Sequence, residues 1–384
     1  MAYSWGHDSL TGQADDVPEL RMGDRSYEEH GGGQPGGSGL SRLCQQESLR
    51  RLTDPKWVPA DWVKDRATSR HPLRDGFAPK GSDLRDFSIV RGRGRYHAFY
   101  IDKMHGKSGR HADNLLFIGH SSTADFQSWQ VHTPALVVAP GTWEGGHVAA
   151  PHVFSVPNRP RLSRLAGIRV RFVMMYTGIS ANFAQSLGMA FSADLHHWVR
   201  YDGNPLLQPA HFEWACWRRN RLANCRDAHV LPRRGRYLLY YTALRTDGDC
   251  CIAAAASADL ENWRDCGPVF TLPFVEASPA MIESSCVHPA ARRFALFYTR
   301  AGGTWVTLSN DPLRFDARAE QTLLIENYWG LEVVRRRANR WLVALFRAQT
   351  AERGGALFLG VLTWTATRPR LKLARRPGDI AEFL

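Results

Sequence analysis

The sequence predicts an all-β fold, a five-bladed β-propeller with four-stranded blades, from two repeated features. Short β-prone runs separated by Gly-, Pro- and Arg-rich turns recur five times after residue 83, with almost no helical periodicity. A turn element of the form S-x-D-L-x-x-W, or a variant of it, recurs with them, and its aspartates lie 52 to 69 residues apart, at Asp125, Asp194, Asp259 and Asp311. This period suits one propeller blade, whereas a β-sandwich also has many strands but shows no such repeat.

Two segments precede the blades. Residues 1–41 are polar, lack periodicity and contain the run G-G-G-Q-P-G-G-S-G, which predicts a disordered N-terminal tail. Residues 42–82 gain tryptophans and prolines, and we expect an irregular lead-in that packs on the propeller. The propeller itself is expected to span residues 83–384 as a single domain.

Each predicted blade opens with a short apolar strand and continues, after a turn, with an aromatic-rich strand. The first strands read D-F-S-I-V, A-P-H-V-F, D-A-H-V-L, E-S-S-C-V and L-E-V-V. The second strands read R-Y-H-A-F-Y, R-F-V-M-M-Y-T, R-Y-L-L-Y-Y-T, R-F-A-L-F-Y-T and R-W-L-V-A-L-F. The Ser and Asp of the turn element are expected to hydrogen-bond nearby backbone between the third and fourth strands, and its Trp to anchor the fourth strand.

Composition limits the classes of function. No apolar run reaches about 18 residues and no basic start precedes an apolar core, so neither a membrane span nor a signal peptide is expected. The seven cysteines match no zinc-binding spacing, and reduced thiols in a cytoplasmic protein are the simplest interpretation. The net charge of +12 allows an anionic partner such as nucleic acid, but a solvated basic surface is favoured.

The first strand of each propeller blade lines the central channel, so the starts of these strands meet at one mouth. The residues expected there are Asp86, His152, Asp227, Glu283 and Glu332. The turns that end these strands lie about 15 Å away, at roughly 3.3 Å per residue. They carry Arg91, Arg93, Arg95, Arg233, Arg234, Arg292, Arg293, Arg335, Arg336 and Arg337. The sequence therefore predicts acids at one mouth and arginines at the other.

Two aspartates and a glutamate that converge on a pocket are what glycoside hydrolysis requires. Glu283 is the candidate acid, because its longer side chain reaches a leaving oxygen and its sequence neighbours are apolar. Asp86 would attack the anomeric carbon or activate water. Asp227, held by Arg226, would orient the sugar. This chemistry needs no cofactor, and the expected partner is a carbohydrate.

Further substrate contacts are predicted at the same mouth. Trp143 and Trp329 could stack on a sugar ring, although tryptophan is more often a core residue. His152 and Glu332 are as readily structural residues of the channel as substrate contacts. Glu144 is expected to be a loop residue beside Trp143, and Trp214 and Trp217 could form a wall of the pocket.

Over roughly residues 83–375 these motifs resemble those of the five-bladed propeller hydrolases of glycoside hydrolase families 32, 43 and 68. D-F-S-I-V is similar to the first-blade motif that carries the nucleophile or base, which implies that role for Asp86. C-R-D-A-H-V resembles the Arg-Asp-Pro element of family 32, with Ala228 in place of proline. I-E-S-S-C-V resembles the acid motif, which implies Glu283 as the acid. A-A-P-H-V-F resembles a family 43 element.

The resemblance leaves alternatives open. Family 32 would imply retention with Asp86 as nucleophile, and family 43 inversion with Asp86 as base. Phe87 and Ser88 stand where family 32 has Pro-Asn, which leaves the fructoside contacts open. The chain ends after the fifth blade, which favours family 43, whereas G-R-Y-H-A-F-Y and the Arg-Asp pair favour family 32. The substrate is expected to be a furanoside, either arabinofuranoside or fructofuranoside. The rival functions are a non-catalytic carbohydrate-binding propeller and a scaffold that binds an anionic partner on the arginine face.

Overall fold

The computed structural model describes residues 71–104, 116–157, 159–217, 224–233, 235–272, 282–348, 354–365 and 368–384. The predicted tail, residues 1–41, and most of the lead-in, residues 42–82, lie outside this range. So does Arg234.

Five antiparallel sheets make up the described part of the chain, and each follows the chain order from one strand to the next, except that the last strand of blade 1 pairs with its third strand. Blade 1 contains β1 Ser82–Gly92, β2 Arg95–Met104, β3 Phe117–Thr123, β4 Trp129–Val131 and β5 Leu136–Val137; blade 2 contains β6 His147–Ser155, β7 Phe172–Ile179, β8 Gln185–Ser192 and β9 Val199–Arg200. Blade 3 contains β10 Cys225–Arg233, β11 Arg236–Leu244, β12 Cys250–Ser257 and β13 Arg264–Thr271; blade 4 contains β14 Glu283–Ala290, β15 Arg293–Arg300, β16 Gly303–Ser309 and β17 Gln321–Glu326. Blade 5 contains β18 Trp329–Arg337, β19 Arg340–Arg347, β20 Ala356–Trp364 and β21 Pro369–Leu373. Two short helices, α1 Pro72–Asp75 and α2 Pro160–Ala166, lie before β1 and between β6 and β7.

The core lies between the sheets. Five apolar clusters join blade 1 to 2, 2 to 3, 3 to 4, 4 to 5 and 5 to 1. Because both faces of each sheet are covered, every residue of β7 and of β8 is buried. The order of these contacts closes a ring, which confirms the predicted five-bladed propeller.

The turn element has the predicted hydrogen bonds. In blade 2 one carboxylate oxygen of Asp194 accepts from the backbone N–H groups of His196 and His197, at 2.9 and 2.8 Å. The indole of Trp198 donates to the carbonyl of Leu195 at 3.2 Å, and Leu195 has a φ of +72°. The same contacts recur around Asp125 and Asp259. A local pattern of two side chains, the Asp and the Trp, therefore fixes the outer turn of each of these blades.

The ring closes between blades 5 and 1. Phe77 pairs with Leu357 of β20, and its ring stacks on Trp129 at a centroid distance of 3.9 Å. The hydroxyl of Tyr96 donates to the carbonyl of Phe383 at 3.0 Å, and the Phe383 side chain is fully buried. The described end of the lead-in therefore packs on the propeller. Across the described residues no helix is both long and apolar enough to cross a membrane.

Candidate active site

A β-bulge near the start of the first strand sets the geometry of the channel mouth in all five blades. The bulges interrupt the pairing after Arg85, Ala149, Arg226, Glu283 and Trp329. The next residue has a positive φ in blades 2 to 5: 43° at Ala150, 59° at Asp227, 53° at Ser284 and 61° at Gly330. A bulge redirects side chains out of the sheet, so these positions, with Asp86 in blade 1, face a common mouth.

The bulges correct the predicted register. Asp86 and Asp227 occupy the bulged position of their blades, but in blade 4 that position is Ser284, and Glu283 lies one residue earlier, equivalent to Arg226. His152 and Glu332 lie two residues after the bulged position. Because the first strand runs away from the mouth, these two residues lie deeper in the channel than the acids.

A cavity of about 40 Å³ lies at the level of the bulges. Its walls include Asp86, Asp227, Ser284 and Glu332. This volume has room for a few water molecules and not for a sugar, so a sugar would reach the acids from the mouth. Glu283 does not line the cavity itself.

Arg226 joins the acids of blades 3 and 4. Its Nη2 lies 2.8 Å from Oε2 of Glu283, and its Nε lies 3.3 Å from Oδ2 of Asp227. The same Asp227 oxygen accepts from Oγ1 of Thr242 at 3.1 Å and from the backbone N–H of Ser284 at 3.3 Å. The Arg226 side chain is only 6% exposed, and its guanidinium group forms ion pairs with both carboxylates.

The electrostatics link Asp86 to the other two acids. Burial raises the pKa of Asp86 to about 8, the charges of Asp227 and Glu283 add to the rise, and Arg85 and Arg226 oppose it. Burial also raises the pKa of Asp227 to about 6, against the effect of Arg226. Asp86 and Asp227 thus hold their protons more tightly than ordinary aspartates, chiefly because both are buried next to other carboxyl groups.

The side chains below the acids bind mainly one another. Nδ1 of His152 lies 3.1 Å from Oε1 of Glu332, whose other oxygen accepts from the backbone N–H of Ile89 at 3.1 Å. The rings of His152 and His229 are 4.5 Å apart. In this part of the described chain, two groups have candidate ligand atoms within 4.8 Å of each other: His152, His229 and Glu332, and His229, Cys286 and His288. These are the axial positions that could hold a metal ion.

Of the two tryptophans predicted to stack on a sugar, one lies at the channel mouth and the other packs against the backbone of blade 2. Trp329 directly precedes the bulge of blade 5, so it shares the mouth position of Arg226 and Glu283. The Trp143 ring packs on the backbone of blade 2, where a Cβ added at Gly178 would lie 2.2 Å from it. Stacking of a sugar on either ring stays a prediction.

Trp214, Trp217 and Glu144 all have partners inside the protein. Trp214 donates to Oδ2 of Asp265 at 2.9 Å, and Trp217 donates to the carbonyl of Gln185 at 2.7 Å. Glu144 lies in a loop, as predicted, but its side chain is 1% exposed and forms an ion pair with Arg200. These three side chains stabilise the packing within and between blades.

Sequence comparison points to one family. The model of the N-terminal domain of glycosyl hydrolases family 32 matches residues 87–284, from the residue after Asp86 to the residue after Glu283. A bifunctional 6(G)-fructosyltransferase/2,1-fructan:2,1-fructan 1-fructosyltransferase from Allium cepa is 31% identical over 122 residues. That alignment covers 30% of this chain and only 17% of the onion protein.

Solved structures share the fold at low sequence identity. Sucrose-6-phosphate hydrolase from Lactobacillus gasseri is 13% identical with a TM-score of 0.61, over 85% of this chain and 66% of that chain. A Bombyx mori family 32 β-fructofuranosidase is 14% identical with a TM-score of 0.60, over 86% and 69%. A thermostable family 43 glycoside hydrolase is 13% identical with a TM-score of 0.58, over 77% and 95%. Since the matched segment spans just over half of the 384 residues, the chain belongs to the glycosyl hydrolases family 32.

Proposed function

We propose that the protein hydrolyses the glycosidic bond of a fructofuranoside, with Asp86, Asp227 and Glu283 as its essential carboxyl groups. The observation that carries the proposal is the linkage of all three at one mouth. Arg226 contacts both Asp227 and Glu283, and Asp86 lines the same cavity as Asp227. Burial, together with the charges of Asp227 and Glu283, raises the pKa of Asp86. Membership of family 32 and the fructosyl-transferring onion relative favour fructofuranosides over arabinofuranosides.

Each carboxyl group has a distinct part in the proposed reaction. A carboxyl oxygen of Asp86 bonds to the anomeric carbon while the bond to the leaving oxygen breaks, and Glu283 gives its proton to that oxygen. Glu283 then takes a proton from the water that releases the sugar from Asp86. Asp227 stays in place through Thr242, Ser284 and Arg226, and positions sugar hydroxyl groups.

The three carboxyl groups of the protein without sugar carry their proton on a different residue from the one that the reaction requires. A raised pKa of about 8 means that unliganded Asp86 holds a proton at neutral pH, whereas a nucleophile must be ionised. Sugar binding must therefore move this proton towards Glu283, which in turn must loosen its 2.8 Å contact with Arg226. The Nη2 group of Arg226 that leaves Glu283 can then donate to the sugar, while its Nε stays on Asp227. Trp143, His152, Trp329 and Glu332 remain the other predicted sugar contacts.

Kinetics with two leaving groups test these roles. Asp86→Asn and Glu283→Gln should each lower kcat on sucrose by about 100- to 10,000-fold. On a nitrophenyl fructofuranoside the Glu283→Gln variant should recover much of its loss, because nitrophenolate needs little protonation, whereas Asp86→Asn should not recover. Asp125→Asn, which lies in the turn at the far end of blade 1, serves as the matched control. Undiminished turnover in both active-site variants, or turnover of arabinofuranosides alone, would contradict the proposal.

A reducing compartment such as the cytoplasm is part of the proposal. Cys225, Cys251 and Cys286 are buried and form no disulfide bond with another described residue. Thiols that stay reduced are typical of cytoplasmic proteins. Fractionation of the native host should find the protein in the soluble cytoplasmic fraction.

A further inference from the structure

Four histidines meet at the outer part of the junction between blades 1 and 2, away from the acids. His97 lies on β2, His120 on β3 and His132 directly after β4, all in blade 1. His196 belongs to the turn element of blade 2. The proposed reaction uses none of them.

Three of these imidazoles surround one point. The ring centroids of His120, His132 and His196 lie 4.5 to 4.9 Å from one another. Each ring offers a nitrogen, and the three nitrogens lie within 4.8 Å of each other. In a tetrahedral zinc site with bonds of about 2.0–2.1 Å, ligand nitrogens are about 3.3 Å apart. Small ring rotations of the two half-buried histidines, His132 and His196, would shorten the distances between the three nitrogens to this value.

Surrounding contacts hold the central ring in place. His120 is 1% exposed and stacks on Phe99, with centroids 4.6 Å apart. Its Nε2 lies 2.9 Å from Nδ1 of His97, whereas its Nδ1 is buried and has no hydrogen-bond partner. An imidazole that binds a metal usually donates its other N–H to a neighbour, and His97 can accept that bond. A bound ion would therefore satisfy the buried nitrogen that the protein leaves without a partner.

Charged groups of both signs lie near the histidine cluster. The carboxylate of Asp194 accepts a hydrogen bond from the backbone N–H of His196 at 2.9 Å, so its negative charge favours a cation near the cluster, whereas the positive charge of Arg93 opposes one. Arg93 is exposed, and salt screens such a charge within about 10 Å.

We propose that His120, His132 and His196 bind a divalent first-row transition metal ion such as Zn²⁺, with the fourth ligand position open to solvent. Three imidazoles suit zinc, copper, cobalt or nickel, and not the oxygen-preferring calcium or magnesium. Because two ligands come from blade 1 and one from blade 2, the ion would cross-link the two blades. The proposal stands independently of the proposed function.

Zinc titration of tag-free protein, stripped with a chelator, tests the site. Calorimetry should find a zinc-binding event that weakens at least about tenfold in His132→Ala and in His196→Ala. Zinc should also raise the Tm of the wild type, and this rise should be lost in both variants. His197→Ala is the matched control, because His197 is the next residue in the turn, its side chain is 89% exposed, and it pairs with Asp194. It should bind zinc as the wild type does.

Two checks separate this site from others in the molecule. His288→Ala removes a residue of the axial group and should leave the event assigned to His196 unchanged. The metal-free His132→Ala and His196→Ala proteins should keep the circular dichroism of the wild type, which shows that both fold. Absence of zinc binding, equal affinity in all variants, or equal loss in His197→Ala would overturn the proposal.

Discussion

At the scale of single residues, the fold keeps several carboxyl groups close together at the channel mouth, although their negative charges repel one another. Burial and the neighbouring carboxylates raise the pKa of Asp86 to about 8, so the folded protein binds a proton there that the unfolded chain releases near its ordinary value of 3.8. The folded state therefore loses stability as pH rises from about 4 to about 8. This cost is the usual sign of a site organised for reaction and not for stability.

Asp86→Asn should stabilise the protein at alkaline pH, because the amide cannot ionise. At pH 8.5 we expect a gain of about 2 kcal/mol, or a Tm rise of about 4 °C. Near pH 4, where Asp86 is protonated in the folded state and partly so in the unfolded state, the two proteins should have nearly the same Tm. Scanning calorimetry across this range measures the difference. A Tm gap independent of pH would disprove the raised pKa.

Asp227→Asn should shift the pH dependence of turnover. Removal of the Asp227 charge takes away the largest electrostatic cause of the raised Asp86 pKa after burial, so Asp86 should ionise at lower pH. The acidic limb of kcat/KM should then move to lower pH, although kcat itself falls with the loss of a sugar contact. Asp259→Asn, in the turn at the far end of blade 3, should leave the limb in place. An acidic limb that stays in place in Asp227→Asn would show that the charge of Asp227 does not raise the pKa of Asp86.

At the scale of elements, the bulge and the outer turn are the two devices repeated around the ring. The turn was predictable because all its contacts lie within seven residues, as the bonds of Asp194 and Trp198 show. The bulge was not, since alternation of apolar residues does not reveal one extra residue. One signal existed: Glu283 precedes Phe294 by 11 residues, whereas Asp86 and Asp227 precede their tyrosines by 10. That extra residue places Ser284, and not Glu283, on the bulge.

The outer turn of blade 3 can be tested with a pair of variants. Burial raises the pKa of Asp259, but the amides and side chains of Glu261, Asn262 and Ser257 outweigh it and lower the pKa to about 2. Asp259→Ala should cost about 1 kcal/mol at pH 7 through the loss of two backbone hydrogen bonds. Asp259→Asn keeps an acceptor oxygen and should cost less.

The sign of the pH dependence follows from the lowered pKa of Asp259. The stabilisation is fully present above pH 4 and is lost as pH falls towards 2, so the wild type and Asp259→Ala should converge in acid. Urea unfolding at pH 7 and pH 3 measures both differences. An alanine variant as stable as the wild type at pH 7 would show that the turn contributes nothing.

At the scale of the whole molecule, the propeller separates two charged faces. Acids gather where the first strands begin, and the hairpin turns of blades 3 and 4 place Arg233, Arg292 and Arg293 around a cavity of about 480 Å³ at the other end. This separation follows the prediction from sequence. The ring that maintains it depends on the closure between blades 5 and 1.

Phe383→Ala should weaken that closure. The Phe383 side chain is fully buried against blades 5 and 1, so its truncation should cost about 3–5 kcal/mol. The neighbouring Leu384 is 40% exposed, and Leu384→Ala should change stability by no more than about 0.5 kcal/mol. Chemical denaturation of both variants provides the comparison. Equal losses of stability in the two variants would show that the buried Phe383 side chain does not hold blades 5 and 1 together.

The sequence by itself determined the blades, because each outer turn and each alternating strand is encoded by residues close together in the chain. It also brought Asp86, Asp227 and Glu283 to the same mouth, since strand direction alone decides which end of the channel they reach. Only the tertiary structure decided which side chains touch. The contact of Arg226 with Glu283, the burial that raises the pKa of Asp86, and the histidines shared by blades 1 and 2 all join residues of different blades. Such contacts depend on bulge register and inter-blade packing, which no local pattern specifies.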